Sequence, residues 1–466
     1  MENQKSERNS FTGSIGFVLA AAGSAVGLGN IWRFPYFVAK DGGGLFLVVY
    51  LALVLTFGFT LLVTEIAIGR KTKESPLTAY KKLNSKWGFL GIFSFVIPFI
   101  VYPYYCAIGG WVLKYLITYI SGHASSAIQD GYFGAFISGK WQPILFMTIF
   151  SAATFAIVYM GVEKGIEKSS KILMPILAVI ILFISIYALF LKFTDDNGVT
   201  RTGLQGFGYY VIPRIKGVTL KQFLTVCLDA TCQLFYSLSI AMGIMVAYGS
   251  YMKNDVNLAK SADQIAFFDT GIAFLAGMMI IPSVYVFAGE DGMSAGPGLI
   301  FVSLPKIFNS LGFFGNIIGV IFFMMVLFAA LTSAVSILEA IVSSMIDKKG
   351  WSRRHSTVVM AGLTFIVAVI VCLGYNLFYF EFKLPNGSVG QILDLMDYTS
   401  NNVLMPITSF LTCIFIGWVC KPKTALDEIS LNGEKFYRRG LYVVMLKYIA
   451  PVLLFIIMLM SFGVFG

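Results

Sequence analysis

The feature that most restricts the fold of this chain is a series of apolar runs, each about as long as a bilayer is thick. A hydrocarbon core of about 30 Å takes about 20 apolar residues per helix. On that rule spans lie near residues 12–37, 44–69, 89–121, 142–161, 169–191, 227–252, 264–288, 313–346, 355–374, 390–419 and 446–465. Backbone groups in lipid must satisfy one another inside their own segment, so each run is expected to be helical. The expected fold is therefore all-α and polytopic, with about 11 transmembrane helices. Composition agrees: 57% hydrophobic and 12% charged residues exclude an ordinary soluble domain. The opening MENQKSERNS has charges of both signs and no cleavage pattern, and the apolar run after it is longer than a signal-peptide core, so the first span is expected to be retained.

Lysine and arginine collect in alternate connections, such as Arg70, Lys71 and Lys73 after span 2 and Lys348, Lys349, Arg353 and Arg354 after span 8. The positive-inside rule then places the N-terminus in the cytoplasm and, with an odd number of spans, the C-terminus outside the cell membrane. The net charge of +10 is read as a topology signal, with no nucleic acid partner. Six cysteines without CxxC spacing read as small apolar residues, and two histidines leave almost no material for a metal centre. No Walker loop, GxSxG elbow or HExxH motif occurs, so the chain is not expected to be an enzyme. Work done across the membrane would have to draw on an ion gradient.

Two spans contain residues unsuited to a helix in lipid. GSAVGLGNIWRFP, residues 23–35, places three glycines, an asparagine, an arginine and a proline in the first apolar run. Gly23 and Gly27 have the spacing of a helix-packing motif, but Asn30 and Arg33 require a polar interior. Irregular backbone survives at membrane depth only inside protein or along a watery cavity. In span 6, QLFYSLSIAMGIMVAYGSY (233–251) is interrupted by Ser237, Ser239 and Gly243. The two spans are five apart, an odd number, so units of spans 1–5 and 6–10 would cross the membrane in opposite senses. Broken helices at matching positions of inverted halves point to a midplane site in a secondary transporter, where half-helix N-termini attract an anion and freed carbonyls coordinate a cation. The expected organisation is a cytoplasmic segment 1–11, a first inverted repeat 12–191, a second 227–419 and an accessory helix 446–466.

AVGLGNIWRFPY (25–36) followed by DGGG (41–44) resembles the first-helix signature of the neurotransmitter:sodium symporter family, and the chain is similar to bacterial members of the leucine-transporter type in an eleven-span form. The resemblance runs from Arg8 to Asp397 and implies two sodium ions and no organic cofactor. It places one ion at Ala25, Asn30, Ser237 and Asp269, with the substrate carboxylate as a further ligand. The second ion falls at Gly23, Val26, Ala329, Thr332 and Ser333, although hydroxyls such as Thr332 and Ser333 commonly bond back to their own helix. Asp269 is read as functional on physical grounds as well, since a carboxylate in a membrane helix needs a cation or a proton. Chloride-requiring relatives have a serine one turn further along that helix; here Tyr50, Gln233 and Ser237 are kept but Ala273 stands at the serine position. The implied transport is independent of chloride.

Glycine at position 27, where amine-transporting relatives carry an aspartate, implies an α-amino acid substrate. Its carboxylate would meet the amides of Leu28 and Gly29 and the Tyr105 hydroxyl, its amino group would meet carbonyls of spans 1 and 6 with Ser239 nearby, and Ala25, Gly27 and Ser237 are further expected substrate-binding residues. Val101, Tyr236, Met242, Ser333 and Ile337 would line a mostly apolar side-chain pocket, which disfavours charged substrates. Arg33 and Asp397 match the family's outer gate; Arg8 and Asp347, with Tyr251 near, match the inner one. Glu65 is expected to accept hydrogen bonds from unwound backbone, and Glu339 has no assigned role. The expected function is sodium-coupled symport of neutral hydrophobic amino acids, aliphatic or aromatic, by alternating access. The alternatives are proton-coupled transport on the same scaffold, an ion channel, or a membrane enzyme using Asp269 and Glu339. The partners are the small-molecule substrate and the lipid bilayer.

Overall fold

The computed structural model describes residues 10–195, 198–292, 298–385 and 389–462. Among them nine helices are long and apolar enough to cross a membrane: Gly44–Thr72, Ser85–Ile120, Gln142–Tyr159, Val162–Leu189, Leu258–Ala288, Phe314–Lys349, Arg353–Leu373, Ile392–Val419 and Arg439–Ser461. These are spans 2–5 and 7–11. Span 1 is the pair Ser14–Ala25 (1a) and Gly29–Lys40 (1b), bent by 55° at the break. Span 6 is Leu220–Ser237 (6a) and Ile244–Tyr251 (6b), separated by residues 238–243. Among the described residues sheet is confined to two short antiparallel pairs, Lys192–Thr194 with Thr200–Thr202 and Phe382–Lys383 with Val389–Gly390.

The first break follows from its residues. Gly27 and Gly29 weaken the helix, and 1b restarts through a π-helical turn, Gly29–Arg33, before Pro35 sits in the first turn of Phe34–Lys40. Pro35 has no N–H to continue the π-turn bonding one residue further, so the helix tightens to α-geometry there. The second break is unwound by three left-handed residues, Ser239 (φ 53°), Ala241 (φ 68°) and Gly243 (φ 71°). Only Gly243 adopts this geometry at no steric cost. Ala241→Gly is therefore expected to stabilise the protein by about 0.5–1 kcal/mol, the left-handed penalty less the extra entropy of glycine. An upward shift of the unfolding midpoint in detergent would register it.

Several helices begin earlier than the apolar runs do. Span 5 starts at 162 rather than 169, span 6 at 220 rather than 227, span 7 at 258 rather than 264 and span 11 at 439 rather than 446. Three of the extensions carry charged or polar residues: Glu163, Lys164 and Glu167 in span 5, Lys221 and Gln222 in span 6, Lys260 and Asp263 in span 7; that of span 11 opens on Arg439 alone. Hydropathy reports where lipid begins, whereas a helix ends where a cap satisfies its orphan N–H groups. Thr219 accepts the Gln222 N–H at 3.3 Å and Asn257 the Lys260 N–H at 2.8 Å.

Span 1a packs against spans 5, 7 and 8; 6a and 6b both lie along span 2. The two breaks therefore sit inside the bundle, while Val48, Val179 and Phe267 on the long helices are exposed at its perimeter. Spans 3 and 8 are 36 residues each, about 54 Å at 1.5 Å per residue, and so project beyond a bilayer core.

Candidate functional site

Asp269, on span 7, is fully buried and faces both breaks. Its Oδ1 accepts Asn30 Nδ2 of 1b at 2.7 Å, and the Ser237 hydroxyl at the end of 6a lies 2.8 and 2.9 Å from the two carboxylate oxygens. Asn30 Oδ1 in turn accepts the Gly27 N–H at 3.2 Å, bracing the unwound segment. Among the described residues the Tyr50 hydroxyl and Gln233 Oε1 are buried without hydrogen-bond partners, and Gln233 Nε2 donates to the Gly29 carbonyl at 3.2 Å. The expected ligands Asn30, Ser237 and Asp269 are thus brought together. A carboxylate, an amide that can turn its oxygen inward and a hydroxyl form an oxygen-rich set that fits a hard monovalent cation.

A second oxygen cluster forms where span 8 meets 1a. Ser333 Oγ lies 3.3 Å from the Gly23 carbonyl, 3.1 Å from that of Ser24 and 3.3 Å from that of Val26. One hydroxyl proton cannot satisfy three acceptors. Oxygen atoms therefore outnumber donors here, which is the condition a sodium ion relieves. Thr332 does what intramembrane hydroxyls commonly do, lying 3.0 Å from the Phe328 carbonyl and 3.1 Å from that of Ala329. It remains against the cluster, since a Cβ on Gly23 would stand 3.2 Å from Thr332 Cβ.

Between the two clusters lies a cavity of about 20 Å3. Of the expected substrate residues, Ala25, Gly27, Gly29, Val101, Tyr105 and Tyr236 line it, and so do Ser239, Met242, Ser333 and Ile337. Leu28 contributes through its N–H, which donates to the Tyr105 hydroxyl at 3.3 Å; Ser237 is turned to Asp269 instead. Ser24, which sequence reasoning passed over, also lines the cavity, and its carbonyl accepts the Ser239 hydroxyl at 3.1 Å. That volume admits about one water, so a solute enters only as the lining relaxes, and Met242 is the side chain best able to repack. Glu65 accepts the Ala241 N–H at 2.7 Å, as expected of an acceptor for unwound backbone.

The gating residues are placed unevenly. Arg33 and Asp397 both lie beside Tyr236, but among the described residues they form no ion pair within 4 Å. Arg33 stands 5.4 Å from the Tyr236 ring centroid, and Asp397 accepts Asn401 Nδ2 at 2.6 Å. Arg8 lies outside the described residues. Asp347 accepts the Ser75 N–H at 2.6 Å. Phe11 is buried, its N–H donates to the Tyr251 carbonyl at 3.2 Å, and its ring packs edge-on against Phe17, Tyr248 and Tyr251.

Glu339 now has partners. Arg353 of span 9 clasps it through two bonds of 2.7 and 2.9 Å, and the Tyr251 hydroxyl donates to it at 2.6 Å. The expected inner-gate tyrosine thus belongs to a Glu339–Arg353 network. An intramembrane glutamate requires a cation, and the basic pair at 353 and 354 was the signal. Removing one partner of such a buried pair costs about 3–5 kcal/mol. Arg353→Ala is expected to lose about that much stability, and the double variant with Glu339→Ala less than the sum of the single losses. Denaturation of the four proteins in one detergent measures it.

Two interrupted helices that face one polar cavity inside a helical bundle are the construction of a secondary transporter. Comparison with known proteins narrows the class. The chain belongs to the Sodium:neurotransmitter symporter family, whose profile matches residues 8–126 and 137–465. It is 33% identical to an uncharacterized sodium-dependent transporter of Bacillus subtilis, over 97% of each chain. It is 25% identical to the human sodium- and chloride-dependent GABA transporter 2, over 91% of this chain and 75% of that one. The crystal structure of MhsT in complex with L-phenylalanine matches with a TM-score of 0.84 at 33% identity, covering 98% of this chain and 100% of that one. The protein is a multi-pass membrane protein that couples transport to sodium.

Proposed function

We propose that this chain carries neutral amino acids with apolar side chains into the cell, two sodium ions per cycle, without chloride. The observation that carries this reading is Gly27. A Cβ at that position would stand 2.9 Å from Ser333 Oγ and 3.0 Å from the Tyr105 hydroxyl. The place that an aspartate side chain would take, beside Tyr105 and Ser333, is thus left for the substrate's own carboxylate. Val101, Met242 and Ile337 supply an apolar wall, and the MhsT complex holds L-phenylalanine in a chain of the same family. Asp269 provides within the protein the negative charge that chloride-dependent relatives take from solution.

In this reading spans 1–5 and 6–10 are inverted units, the N-terminus is cytoplasmic, and solute and ions are held between Arg33/Asp397 and the Tyr251–Glu339–Arg353 network. At 100 mV each inward sodium is worth about 2.3 kcal/mol, and a tenfold gradient adds about 1.4 kcal/mol. Two ions give about 7.4 kcal/mol, or roughly five powers of ten of accumulation. The test is uptake of labelled L-phenylalanine and L-leucine into proteoliposomes under sodium chloride, sodium gluconate, potassium chloride, and potassium chloride with an inward proton gradient. Equal uptake in the two sodium salts and none in potassium is expected. Uptake driven equally by a proton gradient without sodium would refute the reading.

A further inference from the structure

The end of span 1 remote from Tyr251 holds a charge cluster that the transport site does not use. Lys40 Nζ lies 2.6 Å from Asp229 Oδ2 on 6a and 3.9 Å from Asp41 Oδ1. The Asp41 side chain is only 6% exposed, and among the described residues its Oδ2 is buried without a hydrogen-bond partner. Among the described residues Lys40 is the one cation within 4 Å of Asp41, and its short contact goes to Asp229. Arg214, whose backbone N–H donates to the Gly42 carbonyl at 3.0 Å, gives Nη2 to the Ala39 carbonyl at 3.0 Å and stacks 3.7 Å from the Tyr209 ring centroid. Tyr36, on 1b, faces Lys40. One lysine thus serves two carboxylates, on the two half-helices that frame the substrate cavity from this side.

A dry carboxylate oxygen with neither donor nor cation is strongly disfavoured, and a second carboxylate beside it makes this worse; one proton relieves both. We propose that Asp41 and Asp229 are a proton-binding carboxyl pair at the outer mouth, taking up one proton when 1b and 6a close together. The word "outer" rests on the orientation given under Proposed function; the proton site itself does not. Burial, then the charge of Asp229, pushes Asp41 up to about 7, with Lys40 pulling the other way. The neutral acid therefore belongs to the closed arrangement. Its contribution is present below that value and is lost as pH rises through it. When the mouth opens and Asp41 is hydrated, its affinity for the proton falls and the proton leaves. Acid outside favours closure; alkali favours opening.

The experiment is an infrared titration of the full-length protein in lipid nanodiscs between pH 5 and 9, following the carboxylic acid carbonyl band. Wild type is expected to lose buried carboxyl intensity around neutral pH, with Asp41 supplying one component of it. Asp41→Asn, nearly isosteric, should lack that component, and Asp229→Asn should move it to acid by about one pH unit or more. The same component in Asp41→Asn, or none in wild type, overturns the site. A parallel arm measures sodium-driven L-phenylalanine uptake at external pH 6 and 8. A pH response present in wild type and reduced in Asp41→Asn supports the link to closure, and identical responses overturn it. Absence of sodium-driven uptake at every pH would strike the transport reading alone, because the infrared band reports the proton without it.

Discussion

Gly27→Asp is expected to abolish binding and uptake of neutral amino acids, with apparent affinity falling by about a thousandfold or more. The new Cβ alone comes within 3.0 Å of the Ser333 and Tyr105 hydroxyls. The carboxylate beyond it occupies the place proposed for the substrate carboxylate, in a cavity of about 20 Å3. Two carboxylates there would oppose each other at low dielectric, a penalty of about 4 kcal/mol at 4 Å and an effective dielectric constant of 20, which converts to about a thousandfold. Gly27→Ala separates size from charge. Its close contacts are hydroxyl ends that can turn, so a loss of about tenfold is expected. Equilibrium binding of labelled L-phenylalanine to purified protein measures all three chains. Unchanged affinity in Gly27→Asp would place the substrate carboxylate elsewhere.

Asp269→Asn is expected to weaken sodium dependence sharply and to make transport respond to chloride. The carboxylate meets Asn30 Nδ2 and the Ser237 hydroxyl, both of which an amide can still engage in part, so the fold should persist. What is lost is a full charge beside a cation, worth up to about 4 kcal/mol by the same Coulomb reckoning. Sodium affinity should therefore fall by up to about a thousandfold. Chloride should restore part of it, since Tyr50 and Gln233 already stand in the neighbourhood with unpartnered buried atoms. Uptake in chloride against gluconate, at fixed sodium, reads the effect. Identical kinetics in both salts and an unchanged sodium requirement would remove Asp269 from its assigned role.

The first break was legible because Gly27, Gly29, Asn30 and Arg33 are conspicuous in an apolar run, and the buried carboxylate at 269 was legible for the same reason. The left-handed turns at Ser239 and Ala241 were not, since neither residue type favours positive φ; tertiary contacts such as the Glu65–Ala241 bond hold them. Helix starts in spans 6 and 7 lie upstream of their apolar runs because hydropathy measures the lipid-facing part of a helix, whereas the caps Thr219 and Asn257 lie beyond it. Glu339 went unassigned because its partner Arg353 lies across the turn between spans 8 and 9. Only folding back brings the two within 2.7 Å. Ser24 was hidden in a run of alanines and glycines whose carbonyls, rather than side chains, build the second oxygen cluster.

The most direct test of an ion and solute site held between two broken helices is sodium-dependent equilibrium binding of labelled L-phenylalanine to the purified protein, titrated with sodium at zero membrane potential. Binding should be absent in potassium, rise with sodium with a Hill slope approaching the two ions proposed, and vanish in Gly27→Asp. Saturable binding of the same affinity without sodium would contradict it.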